Sequence, residues 1–198
     1  MNNVPAAKAS SRLWRQVLLA WLWLCAGMVS AGGGHAVGEY QVKAVFLFNF
    51  TKFVDWPAEA VAATNLPFVI GIVGEDPFGT TLDEAVREEL ARNRPIVIQR
   101  FRSNETIAKC DILFIARSEK DRLNAVLEQV KSQAILTVAD TAQAAEQGVM
   151  INLSLAQGSV KMEINQNAAA AAGLKVSAKL LSLARIVNPV ADKPPPQP

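Results

Sequence analysis

Residues 67–74 read Pro-Phe-Val-Ile-Gly-Ile-Val-Gly and predict a buried strand that ends at a glycine. The run is apolar throughout rather than alternating, which is typical of strands in parallel sheets, because both faces of such sheets are covered. Similar runs occur at residues 95–101, 111–116 and 134–139. The sequence therefore predicts a mainly parallel central sheet.

Amphipathic segments separate these strands. Residues 78–90 place Leu82, Val86 and Leu90 at helical spacing, and residues 118–131 form a second helical stripe with Ser118 in the N-cap position. Strands alternating with helices favour right-handed crossovers. The predicted fold class is α/β, a single domain with a mainly parallel central sheet and helices on both faces.

The last third of the chain has a different pattern. Residues 149–155 and 159–164 alternate with a period of two around a short connection containing Gly158, which predicts an antiparallel C-terminal hairpin at the sheet edge. We expect a short helix over residues 167–172, an extended segment over 175–177 and a closing helix over 178–186.

A helix is also predicted before the first strand, over residues 39–54, and Pro57 should end it near Asp55. Lys43, Asn49 and Lys52 lie off its apolar stripe. We expect the stripe to face the core, and it consists of Val42, Val45, Phe46, Phe50 and Phe53.

The N-terminal segment is typical of a secretory signal peptide. Residues 1–36 contain Lys8, Arg12 and Arg15 and no acidic residue, and an apolar run follows over residues 17–29. That run is shorter than a membrane span requires. We expect cleavage after Ala31 or Ala36, an α/β domain over residues 37–188, and a disordered Pro-rich tail over residues 189–198.

Removal of the predicted leader changes the charge and the chemistry of the chain. The formal charge of +2 becomes −1, with 17 basic and 18 acidic residues, which argues against a nucleic-acid partner. Cys110 is then the only cysteine, so an intramolecular disulfide is impossible, and buried packing is the favoured interpretation over a redox role or an intermolecular bridge. At most one histidine, His35, remains, at the N-terminal end, and without an internal histidine Ser-His-Asp catalysis and histidine-bearing metal sites are excluded.

Little else in the sequence indicates catalysis or a cofactor. The glycines around Gly74 lack dinucleotide-loop spacing, and the pair Glu75 and Asp76 is better explained as solvated loop acids than as a hydrolytic or metal site. We predict no catalytic residues, no metal and no cofactor. Gly74 and Asp140 both follow predicted strands and form a candidate ligand-binding edge, although Asp140 is also positioned to cap a helix.

Several separated motifs resemble the YfiR family of periplasmic regulators. The N-terminal motif runs from Tyr40 to Pro57, and we expect its residues and Cys110 to be structural: Tyr40, Lys43, Phe46, Asn49, Phe50, Lys52, Phe53, Trp56 and Pro57. Further matches are Cys110-Asp-Ile-Leu-Phe-Ile, Leu136-Thr-Val-Ala-Asp140, Gly148-Val-Met-Ile151, Ile164-Asn165, Gly173-Leu174 and Ser177-Ala-Lys179-Leu-Leu181.

The resemblance implies a non-enzymatic periplasmic protein that binds the periplasmic domain of an inner-membrane diguanylate cyclase and represses cyclic di-GMP synthesis, and so controls biofilm formation and motility. It also implies a homodimer and sequestration by an outer-membrane, peptidoglycan-associated lipoprotein. The alternative is a periplasmic small-ligand sensor that acts with a receptor or sensor kinase. We expect the contact surface near the C-terminal motif, at Asn165, Leu174, Lys175, Ser177, Lys179 and Leu180, although Asn165 and Ser177 are equally suited to capping helices.

Overall fold

The computed structural model describes residues 34–61 and 66–187. Apart from residues 34–36, the predicted signal peptide over residues 1–36 lies outside the described residues. The predicted Pro-rich tail over residues 189–198 lies outside them as well. In the described part of the chain, no helix has both the length and the apolar character needed to cross a membrane.

The domain alternates short helices with strands. The helices are α1 (Gly34–Phe53), α2 (Ala58–Val61), α3 (Thr81–Val86), α4 (Leu123–Val130), α5 (Gln166–Ala171) and α6 (Ala178–Leu181), and a 3-10 helix spans Arg117–Arg122. The strands are β1 (Val54–Asp55), β2 (Phe68–Val73), β3 (Leu90–Ala91), β4 (Arg94–Phe101), β5 (Ile112–Ile115), β6 (Leu136–Ala139), β7 (Ile151–Ala156), β8 (Ser159–Ile164), β9 (Lys175–Val176) and β10 (Arg185–Ile186).

The central sheet has the strand order β10-β8-β7-β6-β5-β2-β4-β3. Strands β4, β2, β5, β6 and β7 are mutually parallel, whereas β3 and β8 run antiparallel to their neighbours β4 and β7. The predicted α/β class and the mainly parallel sheet are confirmed. The predicted hairpin is β7–β8, and the two-residue strand β10 adds one short strand outside it.

Both faces of the sheet are covered, as predicted. Along β2, Ile70 and Ile72 belong to the larger core cluster with residues of α1 and α3, whereas Val73 belongs to a second cluster with residues of α4. Successive residues of a strand point to opposite faces, and this alternation divides the side chains between the two cores. The strands are apolar throughout because each of their two faces packs in one of these cores.

The predicted inward face of α1 is partly wrong. Lys43 is fully buried, while Val42 and Val45 are 46% and 52% exposed. Phe50 is buried as expected, together with Ala44 and Leu47. Helical spacing could not reveal this rotation, because the partner that makes burial of Lys43 favourable lies far along the chain.

The predicted helix over residues 78–90 is shorter than expected. Helix α3 ends at Val86, because Arg87 adopts extended backbone angles and Glu88 has a positive φ of 63°. Leu82 and Val86 face the core as expected, but Leu90 lies in β3 and is 56% exposed.

Two other predicted helices are also divided. The segment over residues 118–131 begins as the 3-10 helix, and the Ser118 hydroxyl accepts a bond from the Glu75 N–H (2.9 Å) instead of capping a helix. The segment over residues 178–186 forms α6 and then β10, because residues 185–186 pair with β8. Pairing with a distant strand thus overrides the local helical pattern.

Candidate functional site

A buried lysine of α1 is the centre of the candidate site. The Lys43 ammonium is completely buried and lies 2.7 Å from Oδ2 of Asp140, the residue that follows β6. It also pairs with Glu39, one helical turn earlier. A charged group is stable in a protein interior only when it is paired and hydrogen-bonded, and Lys43 meets both conditions.

Tyr40 and Arg117 complete this cluster. The Tyr40 hydroxyl donates to Oδ2 of Asp140 at 2.7 Å, and burial together with this bond raises the pKa of the phenol well above its ordinary value. Arg117 follows β5. Its Nη2 lies 2.8 Å from Oε1 of Glu39, and its Nε lies 3.2 Å from Oδ2 of Asp140. We name these five residues (Glu39, Tyr40, Lys43, Arg117 and Asp140) the charge cluster. It fastens α1 to the carboxyl ends of β5 and β6.

One oxygen of the charge cluster lacks a partner within the described residues. Oδ1 of Asp140 is buried and accepts no hydrogen bond there, although such bonds normally satisfy buried carboxylate oxygens. Asp140 also lines an open pocket of about 470 Å³. The pocket's other lining residues are Glu39, Arg117, Lys120, Thr141, Ala142, Ser154 and Leu155.

Glu39 should make folding sensitive to acid. Burial opposes its ionisation, but the hydrogen bond and charge of Lys43, with Arg117, outweigh burial and hold the pKa of Glu39 below its ordinary value. The unfolded chain therefore binds this proton more readily, so the stabilisation is present at neutral pH and is lost as pH falls through the lowered pKa.

We predict that Glu39→Gln flattens the dependence of unfolding free energy on pH in the acidic range, from the ordinary pKa of a glutamate, about 4.3, down through the lowered pKa of Glu39. Urea denaturation at several pH values measures this slope for both proteins. Parallel curves for the variant and the original protein would show that Glu39 has the same pKa in the folded and unfolded states.

The predicted ligand-binding edge divides into two different environments. Asp140 belongs to the charge cluster, whereas Gly74 is packed against Ser118 and Glu119. A Cβ added at Gly74 would lie 2.4 Å from the Ser118 hydroxyl oxygen. Glu119 is itself buried and bonded to Ser103 and Arg122, so side chains fill the crevice between the carboxyl ends of β2 and β5.

The predicted C-terminal contact residues also have different roles. Asn165 and Ser177 cap α5 and α6 by accepting the N–H groups of Ala168 and Leu180. Leu174 and Leu180 are buried. Lys175 and Lys179 are exposed, and the Lys179 ammonium lies 5.4 Å from the centre of the Phe53 ring.

The two ends of the family motif meet in space. Strand β1, directly after α1, pairs with β9 and aligns Val54 with Val176. The Trp56 indole donates to the Asp111 carbonyl at 3.2 Å and packs edge-on against Phe68, with ring centres 5.4 Å apart. The pairing of β1 with β9 therefore joins residues that are more than a hundred positions apart in the chain.

The remaining motif residues line α1 or the core. Phe46 and Phe50 stack with ring centres 6.2 Å apart, and Lys52 is exposed above the Phe48 ring. Phe46, Phe53, Asn49 and Pro57 are half-buried. Cys110 is a free, buried thiol, and burial and the adjacent Asp111 raise its pKa to about 12. A thiol with a raised pKa is protonated at neutral pH, and the protonated form is not the nucleophile.

Sequence reasoning missed Glu39 and Arg117. Glu39 stands four positions before Lys43, the spacing of a helical ion pair, and Arg117 directly follows a predicted strand. These two positions indicate that Glu39 and Arg117 can take part in ion pairs. Neither position identifies Asp140 as the partner that Lys43 and Arg117 share. Within residues 34–61 and 66–187, no group of three or more His, Cys, Asp or Glu side chains could hold a metal ion.

The fold and the charge cluster define a doubly wound α/β domain whose charged groups lie at the carboxyl edge of its parallel strands. In this class of domain, ligands bind at that edge. The sequence matches the family model DUF4154, described as YfiR/HmsC-like, over residues 40–185, and the chain belongs to this family. At the level of the family, its members are periplasmic regulators of diguanylate cyclase signalling.

A solved structure shows a related fold. It is described as the ABC domain in complex with L-Trp from Streptococcus pneumonia, and it aligns with a TM-score of 0.51 at 13% identity. The alignment covers 75% of this chain but only 60% of that one. At this identity the likeness concerns the fold alone. Comparison with curated proteins found none that matches this chain.

Proposed function

We propose that this protein binds the periplasmic sensor domain of an inner-membrane diguanylate cyclase and represses cyclic di-GMP synthesis. The observation that carries the proposal is the family match over residues 40–185, which includes both the N-terminal and the C-terminal motifs. The proposal includes export through residues 1–36, action as a homodimer without enzymatic activity, and sequestration by an outer-membrane, peptidoglycan-associated lipoprotein.

An exposed surface near the C-terminus suits such a partner. Lys175 and Lys179 are exposed there, and Leu183 and Ile186 follow in the chain with 69% and 42% of their surfaces exposed. Apolar side chains bordered by polar groups are typical of protein-binding surfaces. We place the cyclase contact on these four residues, which we name the C-terminal patch.

Repression across the membrane requires only selective binding. If the C-terminal patch binds one conformation of the cyclase sensor more tightly than another, it shifts the sensor population toward that conformation. The size of the shift is limited by the difference between the two affinities. No group on this protein has to react.

Deleting the gene should raise cellular cyclic di-GMP, and Leu183→Asp should reproduce most of that rise. A charge at the centre of an apolar contact removes its burial and leaves an unpaired carboxylate in the interface. Cyclic di-GMP is measured by mass spectrometry of cell extracts, with immunoblots to show equal amounts of each variant.

Val45→Asp is the matched control, because Val45 is also about half exposed but lies on α1. We expect it to repress normally. An unchanged nucleotide level after deletion would contradict repression itself, whereas full repression by Leu183→Asp would contradict only the C-terminal patch.

The pocket beside Asp140 favours a second candidate, recognition of a small polar ligand, with the protein acting beside a receptor or sensor kinase. Arg117 and Lys120 supply cations at the pocket, while Oδ1 of Asp140 lacks a donor within the described residues. A thermal-shift screen of amino acids, cell-wall fragments and nucleotides tests this candidate, because a ligand that binds only the folded state raises the melting temperature.

A further inference from the structure

The open pocket beside Asp140 is formed by several elements of the fold. Arg117 and Lys120 follow β5, residues 140–142 follow β6, and residues 154–155 belong to β7. Its volume of about 470 Å³ lies within the range of pockets that hold small molecules. In sheets of this class, ligands bind at the carboxyl ends of the parallel strands. The pocket therefore has both the size and the position of a ligand site.

Arg117 has a fixed orientation at this pocket. Its Nε donates to the Asp140 carbonyl at 3.1 Å, and its Nη2 donates to Oε1 of Glu39 at 2.8 Å. Nη1 makes no hydrogen bond within residues 34–61 and 66–187, and about half of the side chain is exposed. A guanidinium that is held at two of its nitrogens can donate from the third with little further loss of conformational entropy.

The charges around the pocket leave one cation in excess. Lys43 and Arg117 each pair with both carboxylates of the charge cluster, so these four charges cancel. Lys120 also lines the pocket, is exposed, and forms no ion pair in the part of the chain that the structure describes. A ligand group with a single negative charge would neutralise it.

The accessible polar groups of the pocket favour a ligand with acceptor oxygens. Thr141 and Ser154 contribute hydroxyl groups that can donate. The N–H groups of Thr141 and Ala142 have no backbone acceptor among the described residues. The two carboxylates of the charge cluster are almost completely buried behind their own cations. An ionised carboxylate supplies accepting oxygens and one negative charge, and its bonds to cationic donors are stronger than neutral ones.

Charge and surface together distinguish a carboxylate from a phosphate monoester. A phosphate monoester carries between one and two negative charges at neutral pH, more than Lys120 alone would balance. Leu155 is 43% exposed, and Ala142 is exposed beside it at the pocket, so both add apolar surface. A carboxylate attached to an apolar group matches this combination.

We propose that this pocket binds small monocarboxylates, with the ligand carboxylate contacting Lys120 and Nη1 of Arg117 and the apolar part against Leu155. The inference rests on the second candidate of the proposed function, recognition of a small polar ligand, and adds the chemical class of that ligand. Free carboxylic acids and the C-terminal ends of peptides share this chemistry.

The first test uses probes that differ at the carboxylate. Phenylacetate is the monoanion, phenylacetamide is its uncharged analogue, and phenyl phosphate is a more highly charged anion. NMR titrations of ¹⁵N-labelled protein, expressed from the full-length coding sequence, give a dissociation constant for each probe. The amide signals of Thr141 and Ala142 report binding at the pocket.

We expect phenylacetamide and phenyl phosphate to bind about tenfold or more weakly than phenylacetate. Binding of either one as tightly as phenylacetate would overturn the inference. N-acetylphenylalanine, which mimics the end of a peptide, distinguishes the two sources. Tighter binding than phenylacetate would support peptide ends as the ligand, and weaker binding would support free acids.

The second test changes the excess cation. Lys120→Gln should raise the dissociation constant for phenylacetate about tenfold, and Lys120→Arg should retain binding. Lys109→Gln is the matched control, because Lys109 is also exposed but precedes β5, at the opposite end of that strand. Circular dichroism verifies that each variant is folded. Unchanged affinity in Lys120→Gln, or an equal loss in Lys109→Gln, would overturn the inference.

Failure of the inference is distinguishable from failure of the candidate function. If phenylacetate leaves the Thr141 and Ala142 signals unchanged while another compound of the thermal-shift screen binds, the carboxylate class is overturned and ligand recognition stands. If no compound binds, ligand recognition itself is contradicted, together with the inference. Repression of the cyclase is measured through cyclic di-GMP and is independent of both results.

Discussion

Replacing Lys43 with methionine is expected to lower the free energy of unfolding by about 3–5 kcal/mol, because Arg117 would be the one cation of the charge cluster left beside the buried carboxylates of Glu39 and Asp140. Asp140 would lose the ammonium at 2.7 Å, and Glu39 would lose its neighbour in the helix. Methionine keeps most of the side-chain volume, so the decrease in unfolding free energy would come from the missing charge and not from a cavity. Chemical denaturation monitored by tryptophan fluorescence measures it.

Lys52→Met is the control on the same helix. Lys52 is exposed, so its replacement should change stability by less than about 0.5 kcal/mol. A double-mutant cycle with Asp140→Asn isolates the coupling between the two charges. Additive losses in that cycle would contradict a direct contribution of the Lys43–Asp140 pair to stability.

Gly74→Ala is expected to destabilise the domain by about 2–4 kcal/mol, from backbone strain together with steric overpacking. Gly74 has a φ of 94°, and an added Cβ would lie 2.4 Å from the Ser118 hydroxyl oxygen and 2.9 Å from Cγ of Glu119. Both neighbours belong to the segment that closes the crevice beyond β2 and β5. Thermal and chemical unfolding measure the loss.

Gly79→Ala separates these two contributions. Gly79 also has a positive φ, 55°, but no heavy atom outside its chain neighbours lies within 4 Å of an added Cβ. It should therefore lose only about 1 kcal/mol, from the left-handed backbone. Equal losses at the two glycines would show that the crevice has room beside Gly74.

The charge cluster and the C-terminal patch suggest different tasks within one domain. Lys43, Tyr40 and Arg117 hold α1 against the carboxyl ends of two strands, with distances of 2.7 to 3.2 Å to Asp140. The C-terminal patch supplies exposed apolar surface, and our proposal places the partner there. A regulatory protein needs both stable positioning and an exposed contact surface, and catalytic groups are not required for either.

Much of the fold could be predicted from the sequence. The apolar runs of β2, β5 and β6 and the alternation of β7 and β8 are confirmed. Both patterns are local properties of the residue order: a strand that is buried on both faces is apolar throughout, and a strand that is buried on one face alternates. The Trp56-Pro57 pair also marked the end of α1 correctly to within two residues. The family motifs led to the same family that the sequence comparison shows.

The candidate site was predicted only in part. Its place after a strand identifies Asp140 as a candidate, but residue order does not identify its partners. The same reasoning groups Gly74 with Asp140, although Ser118 and Glu119 fill the space beside Gly74. The local pattern predicts a helix over residues 178–186, but residues 185–186 pair with β8 and form a strand instead. Each of these outcomes depends on groups far apart in the chain.

Lys43 shows the physical division most clearly. Residue order alone establishes that it lies in a helix, one turn after Glu39, and local spacing assigns it to a polar face. Its burial depends on Asp140, 97 positions away, because a carboxylate at 2.7 Å stabilises an ammonium that the interior would otherwise exclude. Local periodicity determines which segments form helices and strands. The orientation of each helix and the pairing of its charged residues depend on interactions that form only when distant strands have come together.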